Sequence, residues 1–377
     1  MIRAFKTEIK PTEEQKDKIN RTIGTCRFIY NFYIAHNKGL YEAGKPFMTG
    51  KAFSVWLNNE YLPMHSDKAW IKGVSSKAVK KSMEDACTAY TRFFKGLSGF
   101  PRFKKKGKSD PKMYFVKNSQ SDCLCERHRL KIPTLGWVRL KEKGYLPVTS
   151  SGIMVRSGVV SVRAGRYYVS VLADVPDLPK EPLTDEPIGI DFGIKEFAVV
   201  SDGTVWPNIN KTDRVRKLER KLKREQRRLS CTAKGGRNRK RQILKLQRLH
   251  QRLDNVRTDH INKFVAGIVK TKPSHIAIED LNISGMMKNR HLSKAIASQK
   301  LYESRIKLMS KCREKGIEVR IAGRFYPSSK LCHACGNVKK DLKLSERTYK
   351  CPVCGYEADR DFNASLNLRD ITEYRTA

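Results

Sequence analysis

Apolar and polar side chains alternate over residues 2–9 (IRAFKTEI), which sets Phe5, Thr7 and Ile9 on one face of a short strand that Pro11 ends. From Thr12 to Lys38 the apolar spacing changes to three and four, through Ile19, Ile23, Cys26, Ile29, Tyr30 and Tyr33, and predicts a helix. A second helix starts at Ser75 or Ser76, either of which can cap it. It continues through Val79, Met83, Ala86, Tyr90, Phe93 and Phe94. After FPRFKKKGK (100–108) the pattern breaks into short runs at 114–116, 130–132, 137–140, 159–163 and 167–172, which read as strands divided by turns. With the first strand they predict a small barrel.

The proline-rich, acidic stretch DVPDLPKEPLTDEP (174–187) reads as a linker. Beyond it, PIGIDFGIKEFAVVSDGTVW predicts strands at 188–190 and 197–200, a turn at Ser201, Asp202 and Gly203, and a third strand. Leu218, Leu222 and Leu229, then Leu246, Leu249, Leu253 and Val256, keep helical spacing on either side of AKGGR, so residues 211–257 form a helical hairpin. That hairpin holds 19 Lys+Arg against 4 Asp+Glu. HIAIEDLNISG then predicts a buried strand ending in acid, KLYESRIKLMSKCREKG a helix and IEVRIAG another strand. The order strand, hairpin, strand, helix, strand, with acids at strand ends, fits an RNase H-like mixed sheet.

Charge narrows the function. The 377 residues include Lys+Arg 77 and Asp+Glu 38, a formal net charge of +39. An ordinary metabolic enzyme has no use for such an excess, which repels itself unless a polyanion releases its counterions onto it. Nucleic acid is the expected partner. A hydrophobic content of 39% is too high for a disordered basic tail. The longest apolar run, 264–269, is far short of the roughly 18 residues of a membrane span, and MIRAFKTEIK carries no apolar export core. A reducing compartment follows, so cysteines read as metal ligands rather than disulfides.

Two groups of residues carry chemistry. Cys332 and Cys335 (CHAC) and Cys351 and Cys354 (CPVC) are two CxxC knuckles, and Gly336 and Gly355 allow the tight turn after each. Four thiolates so spaced satisfy tetrahedral Zn²⁺ in a closed, structural site. Cys123 and Cys125 (CLC) lack a partner pair and read as incidental. The second group is acidic. Asp191 lies in an apolar strand, Glu279 ends another, and Asp361 opens a helix in DRDFNASLNL. Alone, each reads as a solvent-facing strand end or a helix cap. Together on a basic protein they suit Mg²⁺, which prefers oxygen ligands and tolerates a substrate phosphate; two ions can serve phosphodiester hydrolysis. No HxxxH site and no GxxxxGK[ST] loop occurs, which argues against an ATP motor.

At IGIDFGIKEFAVVSDG, IAIEDLNISGM, YPSSKLCHACG, YKCPVCGYEADRDFNASLNL and FPRFKKKGK the chain resembles the TnpB/OrfB family of bacterial insertion sequences, itself similar to type V CRISPR effectors. The resemblance implies an α/β and β multidomain protein: a RuvC (RNase H-like) nuclease domain at 183–331 and 356–377, including the basic hairpin 211–271, and an inserted zinc ribbon at 332–355. It further implies a β-barrel wedge domain at 1–10 and 98–182 and a helical recognition lobe at 11–97. Asp191, Glu279 and Asp361 map onto the family's catalytic magnesium ligands. The implied activity is RNA-guided DNA cleavage in the prokaryotic cytoplasm or nucleoid, by a monomer holding a guide RNA from the transposon end and recognising a short motif beside a double-stranded target. Ser76, Lys77 and Lys80 fall where family members touch that motif. Lys104 and Lys105, and Arg224, Arg227 and Arg228, are further candidate nucleic-acid contacts; Arg360 and Asn363 either support the metal ligands from behind or touch phosphate of the nucleic acid, with a surface salt bridge as the plainer role for Arg360. Two alternatives stand beside this reading: an RNA-guided repressor that does not cut, and a guide-independent transposase.

Overall fold

A computed structural model of the chain describes residues 1–177, 181–343 and 345–376. The chain divides into two compact units, Met1–Leu178 and Pro179–Ala377. The division falls inside the expected linker, of which residues 178–180 lie outside the described residues.

In the first unit, β1 (Ile2–Lys10) leads into α1 (Glu13–Glu42). Thr12 starts that helix with a capping box: its hydroxyl accepts from the Gln15 N–H at 3.3 Å, and the Gln15 side chain accepts from the Thr12 N–H at 3.1 Å. Two short helices, α2 (Gly50–Trp56) and α3 (Leu62–Met64), precede α4 (Ser76–Phe94), whose first turn is capped by Ser75. Tyr33, Phe53, Leu57, Met83 and Tyr90 are buried in one helical core. The strands β2 (Lys112–Val116), β3 (Arg129–Ile132), β4 (Gly136–Leu140), β5 (Met154–Arg163) and β6 (Arg166–Asp174) join β1 in an antiparallel sheet of order β2-β5-β6-β1-β4-β3. All six strands were expected, and they share one core with Ile19 and Ile23 of α1. The hydrogen-bonded ladder ends on β2 and β3. Cys123 and Cys125 are apolar filling in that core, 2% exposed each.

The second unit begins with β7 (Ile188–Phe192), β8 (Ala198–Val200) and β9 (Val205–Trp206), followed by the hairpin α5 (Asp213–Ser230) and α6 (Arg237–Lys270). Then come β10 (His275–Ile278), α7 (Ile283–Met286), α8 (Ser293–Gln299), α9 (Leu301–Lys315) and β11 (Glu318–Ala322). The ribbon strands β12 (Thr348–Lys350) and β13 (Glu357–Asp359) lead into α10 (Arg360–Arg369) and β14 (Tyr374–Thr376). The main sheet has the order β14-β11-β10-β7-β8-β9, with β7, β10 and β11 mutually parallel and the outer strands antiparallel. β14 escaped the sequence reading because three exposed polar residues carry no apolar alternation.

Strand alternation explains how IGID builds both faces of this sheet. Ile188, Ile190 and Phe192, with Ile276 and Ile278, join the core formed with α6 and α9. Gly189 and Ala277 face the other way, where Leu368 of α10 packs on Ala277. Gly189 must be glycine: a Cβ there would lie 1.9 Å from the Ser365 carbonyl oxygen and 2.4 Å from the Arg369 nitrogen, both backbone atoms that cannot swing aside. Gly189→Ala is expected to cost on the order of 3 kcal/mol through overpacking, seen in calorimetry as a fall of about 6–12 °C in the melting temperature of this unit. Gly323→Ala, which meets nothing within 4 Å, is the control that leaves it in place.

The hairpin is held by a buried acid that the charge count hid. Glu225 on α5 is 1% exposed and accepts from Gln242 Nε2 at 2.7 Å and Lys245 Nζ at 3.0 Å of α6, and from Arg228 at 3.3 Å. The far half of α6 then packs Ile261, Phe264, Val265 and Ile268 on the sheet. One helix thus carries both the basic arm and part of the core.

Candidate active site

The parallel register pairs Ile276 with Ile188, Ala277 with Gly189 and Ile278 with Ile190. One further step sets Glu279 beside Asp191, at the carboxyl ends of adjacent strands that run about 4.8 Å apart. By alternation both acids share the face of Gly189, the face covered by α10. From Gly189 to Asp191 the strand advances about 6.6 Å. From Ser365, which touches Gly189, back to Asp361 the helix retreats about 6 Å. The amino end of α10 therefore arrives over the two strand-end acids.

Electrostatics report the same meeting. Burial pushes Asp191 well above the usual carboxylate range, and the charges of Glu279 and Asp361 push it further, with Arg360 opposing them. Burial also raises Glu279, against the Ser328 hydroxyl and Arg360, while Asp361 adds to the rise. Two buried carboxylates with the charge of Asp361 bearing on both call for a cation, since an unpaired buried charge costs on the order of several kcal/mol. The donor set is oxygen only and fits Mg²⁺.

Asp361 is not the residue that opens α10. Asp359 is the cap, its Oδ1 accepting from the N–H groups of Asp361 at 2.9 Å and Phe362 at 3.1 Å. The Asp361 carboxylate lies 3.8 Å from Arg347 of the ribbon, and its charge bears on both strand-end acids. Ser328, which sequence reasoning missed, is 4% exposed and donates to Glu279 Oε1 at 2.5 Å. Its only signal was its place in YPSSK just before the first knuckle.

Asn363 corrects one expectation. It is 0% exposed; its amide donates to the Leu331 carbonyl at 2.7 Å and its oxygen accepts from the His333 N–H at 3.2 Å. Both ends are consumed in bracing the ribbon to α10, so no atom remains for nucleic acid. Asn367 adds to the brace, donating to the Ser328 and Leu331 carbonyls. Arg360 is half-buried, donates to the Lys343 carbonyl and Ser329 Oγ, and acts on the two strand-end acids by charge.

The ribbon brings the four cysteines together. Their Sγ atoms all lie within 4.8 Å of one another, with Cys332–Cys354 and Cys335–Cys351 at 3.6 Å. Four sulfurs at about 2.3 Å from a tetrahedral zinc stand ~3.8 Å apart, so the tetrad fits that ion.

The remaining basic candidates divide. Ser76, Lys77 and Lys80 are exposed on the first turns of α4, and Lys105, Arg224, Arg227 and Arg228 are exposed as well. Lys104 is half-buried instead, its ammonium 3.6 Å from the centre of the Tyr30 ring.

Residues 169–290 match the OrfB_IS605 family, described as "Probable transposase", residues 302–368 match "Cas12f1-like, TNB domain", and residues 1–46 match the "Helix-turn-helix domain" of OrfB_IS605. Here residues 1–46 contain β1 and the one long helix α1. "Putative RNA-guided DNA endonuclease InsQ" of Escherichia coli (strain K12) is 31% identical across 97% of this chain and 91% of its own length. "Putative RNA-guided DNA endonuclease" of Streptomyces pristinaespiralis is 31% identical across 97% and 88%. The solved structure of a Cas12f1-sgRNA-target DNA complex superimposes with a TM-score of 0.59 over 98% of this chain and 99% of that one, at 14% identity, a likeness of fold. Fold and site together define an RNase H-like protein of the RuvC kind with a four-cysteine ribbon. The chain belongs to the TnpB/OrfB family of insertion-sequence proteins. Among the described residues no helix is long and apolar enough to cross a membrane.

Proposed function

We propose that this chain is a magnesium-dependent, RNA-guided DNA endonuclease, working as a single copy on one guide RNA from the transposon end. The observation that carries the reading is geometric: Asp191 and Glu279 stand at the carboxyl ends of adjacent parallel strands, and the helix packed on Gly189 bears Asp361 at its amino end. The curated names of the two full-length relatives support it. In this reading Asp191, Glu279 and Asp361 hold the ions. Bound magnesium supplies an activated water and neutralises the leaving oxygen. The chain's own residues prepare the site: Ser328 fixes the rotamer of Glu279, Asp359 frees Asp361 by capping α10, and Arg360 offsets part of the negative charge.

Unit 1 then serves recognition. Its sheet, with β1, takes the wedge role on the RNA scaffold, and α1–α4 take the recognition role, with Ser76, Lys77 and Lys80 exposed toward the motif beside the target. The basic arm α5–α6 holds phosphates, and a complex of guide and heteroduplex is a polyanion large enough to use a charge of +39.

One family description, "Probable transposase", favours a second reading in which transposon ends are cut or joined without RNA. The two part in one experiment. Protein purified from cells carrying its flanking DNA is expected to show a nucleic-acid-like 260/280 nm absorbance ratio and to yield a discrete RNA on sequencing. Nuclease treatment of that RNA is expected to end cutting of a matched duplex. RNA-free protein that cuts as well as the complex overturns guidance.

A further inference from the structure

We propose that Phe325, with Arg324 and Arg375, is a platform that stacks a base and holds the phosphates of single-stranded DNA beside the acidic site. The proposal rests on the nuclease reading and names the form of nucleic acid that the site takes. Phe325 is 94% exposed, the barest large apolar side chain among the described residues. A lone exposed apolar residue is ordinary on a protein surface. This one is set apart by its mount and its neighbours.

The mount is rigid. The Tyr326 N–H donates to the Gly323 carbonyl at 3.0 Å, so residues 323–326 form a tight turn with Phe325 on its crown. Tyr326 turns inward, packs on the cluster of Ala277, Ala322, Leu368 and Ile371, and donates its hydroxyl to the Asn367 carbonyl at 3.1 Å. The phenyl ring is thus held out by a segment anchored on α10.

The neighbours are cationic. Asp280 receives Arg305 at 3.0 Å, Arg324 at 3.3 Å and Arg375 at 2.9 Å. One carboxylate balances one of three guanidinium groups, which leaves two positive charges at the spot. The Arg324 and Arg375 side chains are 54% and 61% exposed, so each can offer further N–H groups to a phosphate while Asp280 fixes its direction. An apolar protein partner would want more apolar surface around the ring; an anionic strand wants this charge.

The site adjoins the chemistry. Asp280 follows Glu279 in the chain, and Ser328, which donates to Glu279, lies three residues after Phe325, within about 11 Å of backbone. A duplex offers the ring no free base face, whereas each base of an unpaired strand does. A strand stacked on Phe325, with phosphates on Arg324 and Arg375, is led toward the three acids.

The test uses the full chain with its RNA. In EDTA, a short single-stranded oligodeoxynucleotide containing 5-iodouracil is irradiated on the complex and the adduct located by mass spectrometry. The adduct is expected on Phe325, to vanish in Phe325→Ala and to persist in Phe325→Trp. With magnesium, Phe325→Ala is expected to cut a guide-matched duplex about 5- to 100-fold more slowly, the worth of one base–aromatic stack, with melting temperature and zinc content unchanged and the rate recovered in Phe325→Trp. Wild-type protein that forms the adduct but never cuts defeats the nuclease reading and supports the platform. Wild-type protein that cuts without forming the adduct, with Phe325→Ala cutting at full rate, overturns the platform, as does an adduct found only on a co-purifying protein.

Discussion

Glu279→Gln leaves the RNA complex binding its matched duplex and takes away cutting: the single-turnover rate is expected to fall at least about 10³-fold, the worth of several kcal/mol of charge stabilisation lost with a metal ligand. The substitution keeps shape and removes charge. Because Glu279 sits at a strand end, next to Asp191 and under α10, its loss disturbs neither the ladder nor the core on the opposite face. Ser328→Ala provides the graded companion. It removes one hydrogen bond to a charged group, worth about 1.5–3 kcal/mol, so cutting is expected to slow roughly 10- to 100-fold and to need more magnesium. Ser328→Thr restores the donor and most of the rate. Cleavage of a labelled duplex against filter binding of the same duplex reads both effects. A Glu279→Gln complex that cuts at the wild-type rate removes the catalytic assignment, and one that neither cuts nor binds would place Glu279 in recognition.

Loss of zinc is expected to be equally severe, by a different route. Among its described residues the ribbon buries only Cys332, Leu342, Tyr349 and Cys351 with Tyr356 against them, far too little apolar surface to fold by itself. The ion supplies the difference, on the order of 10 kcal/mol in small zinc domains. Cys332→Ser with Cys351→Ser is expected to abolish zinc binding, open residues 326–359 to protease and stop cutting. The link to cutting is structural: Asn363 ties α10 to Leu331 and His333, Asn367 ties it to Ser328, and Ser328 holds Glu279. Metal content by atomic absorption, limited proteolysis and the cleavage assay report the three consequences separately. A zinc-free variant that resists protease and cuts normally would show that the ribbon neither folds by metal nor supports the acids.

The same contacts show where sequence reading reaches its limit. Asn363 in DRDFNASLNL reads from sequence either as support behind the metal ligands or as a phosphate contact; the packing of α10 under the ribbon makes it a buried brace and removes the second role. Ser328 offered only its place in YPSSK, a weak sign, since a serine in a loop before a zinc knuckle is usually solvated. Glu225 was one acid in a run of bases, and only the approach of α6 to α5 turned it into the buried centre of the hairpin.

By itself the sequence determined the strands and helices that local periodicity and capping can specify, from Thr12 and Ser75 at helix starts to the alternation of IGID. It also determined the cysteine pairs, whose spacing is a property of two short turns, and the charge that demands a polyanion. The meeting of Asp191, Glu279 and Asp361 was decided by tertiary structure alone. It depends on a parallel register between β7 and β10, which the whole hairpin separates, and on the absence of a side chain at Gly189 that lets α10 lie against the sheet. Periodicity fixes which face a residue takes; only contacts between distant segments fix what stands opposite that face.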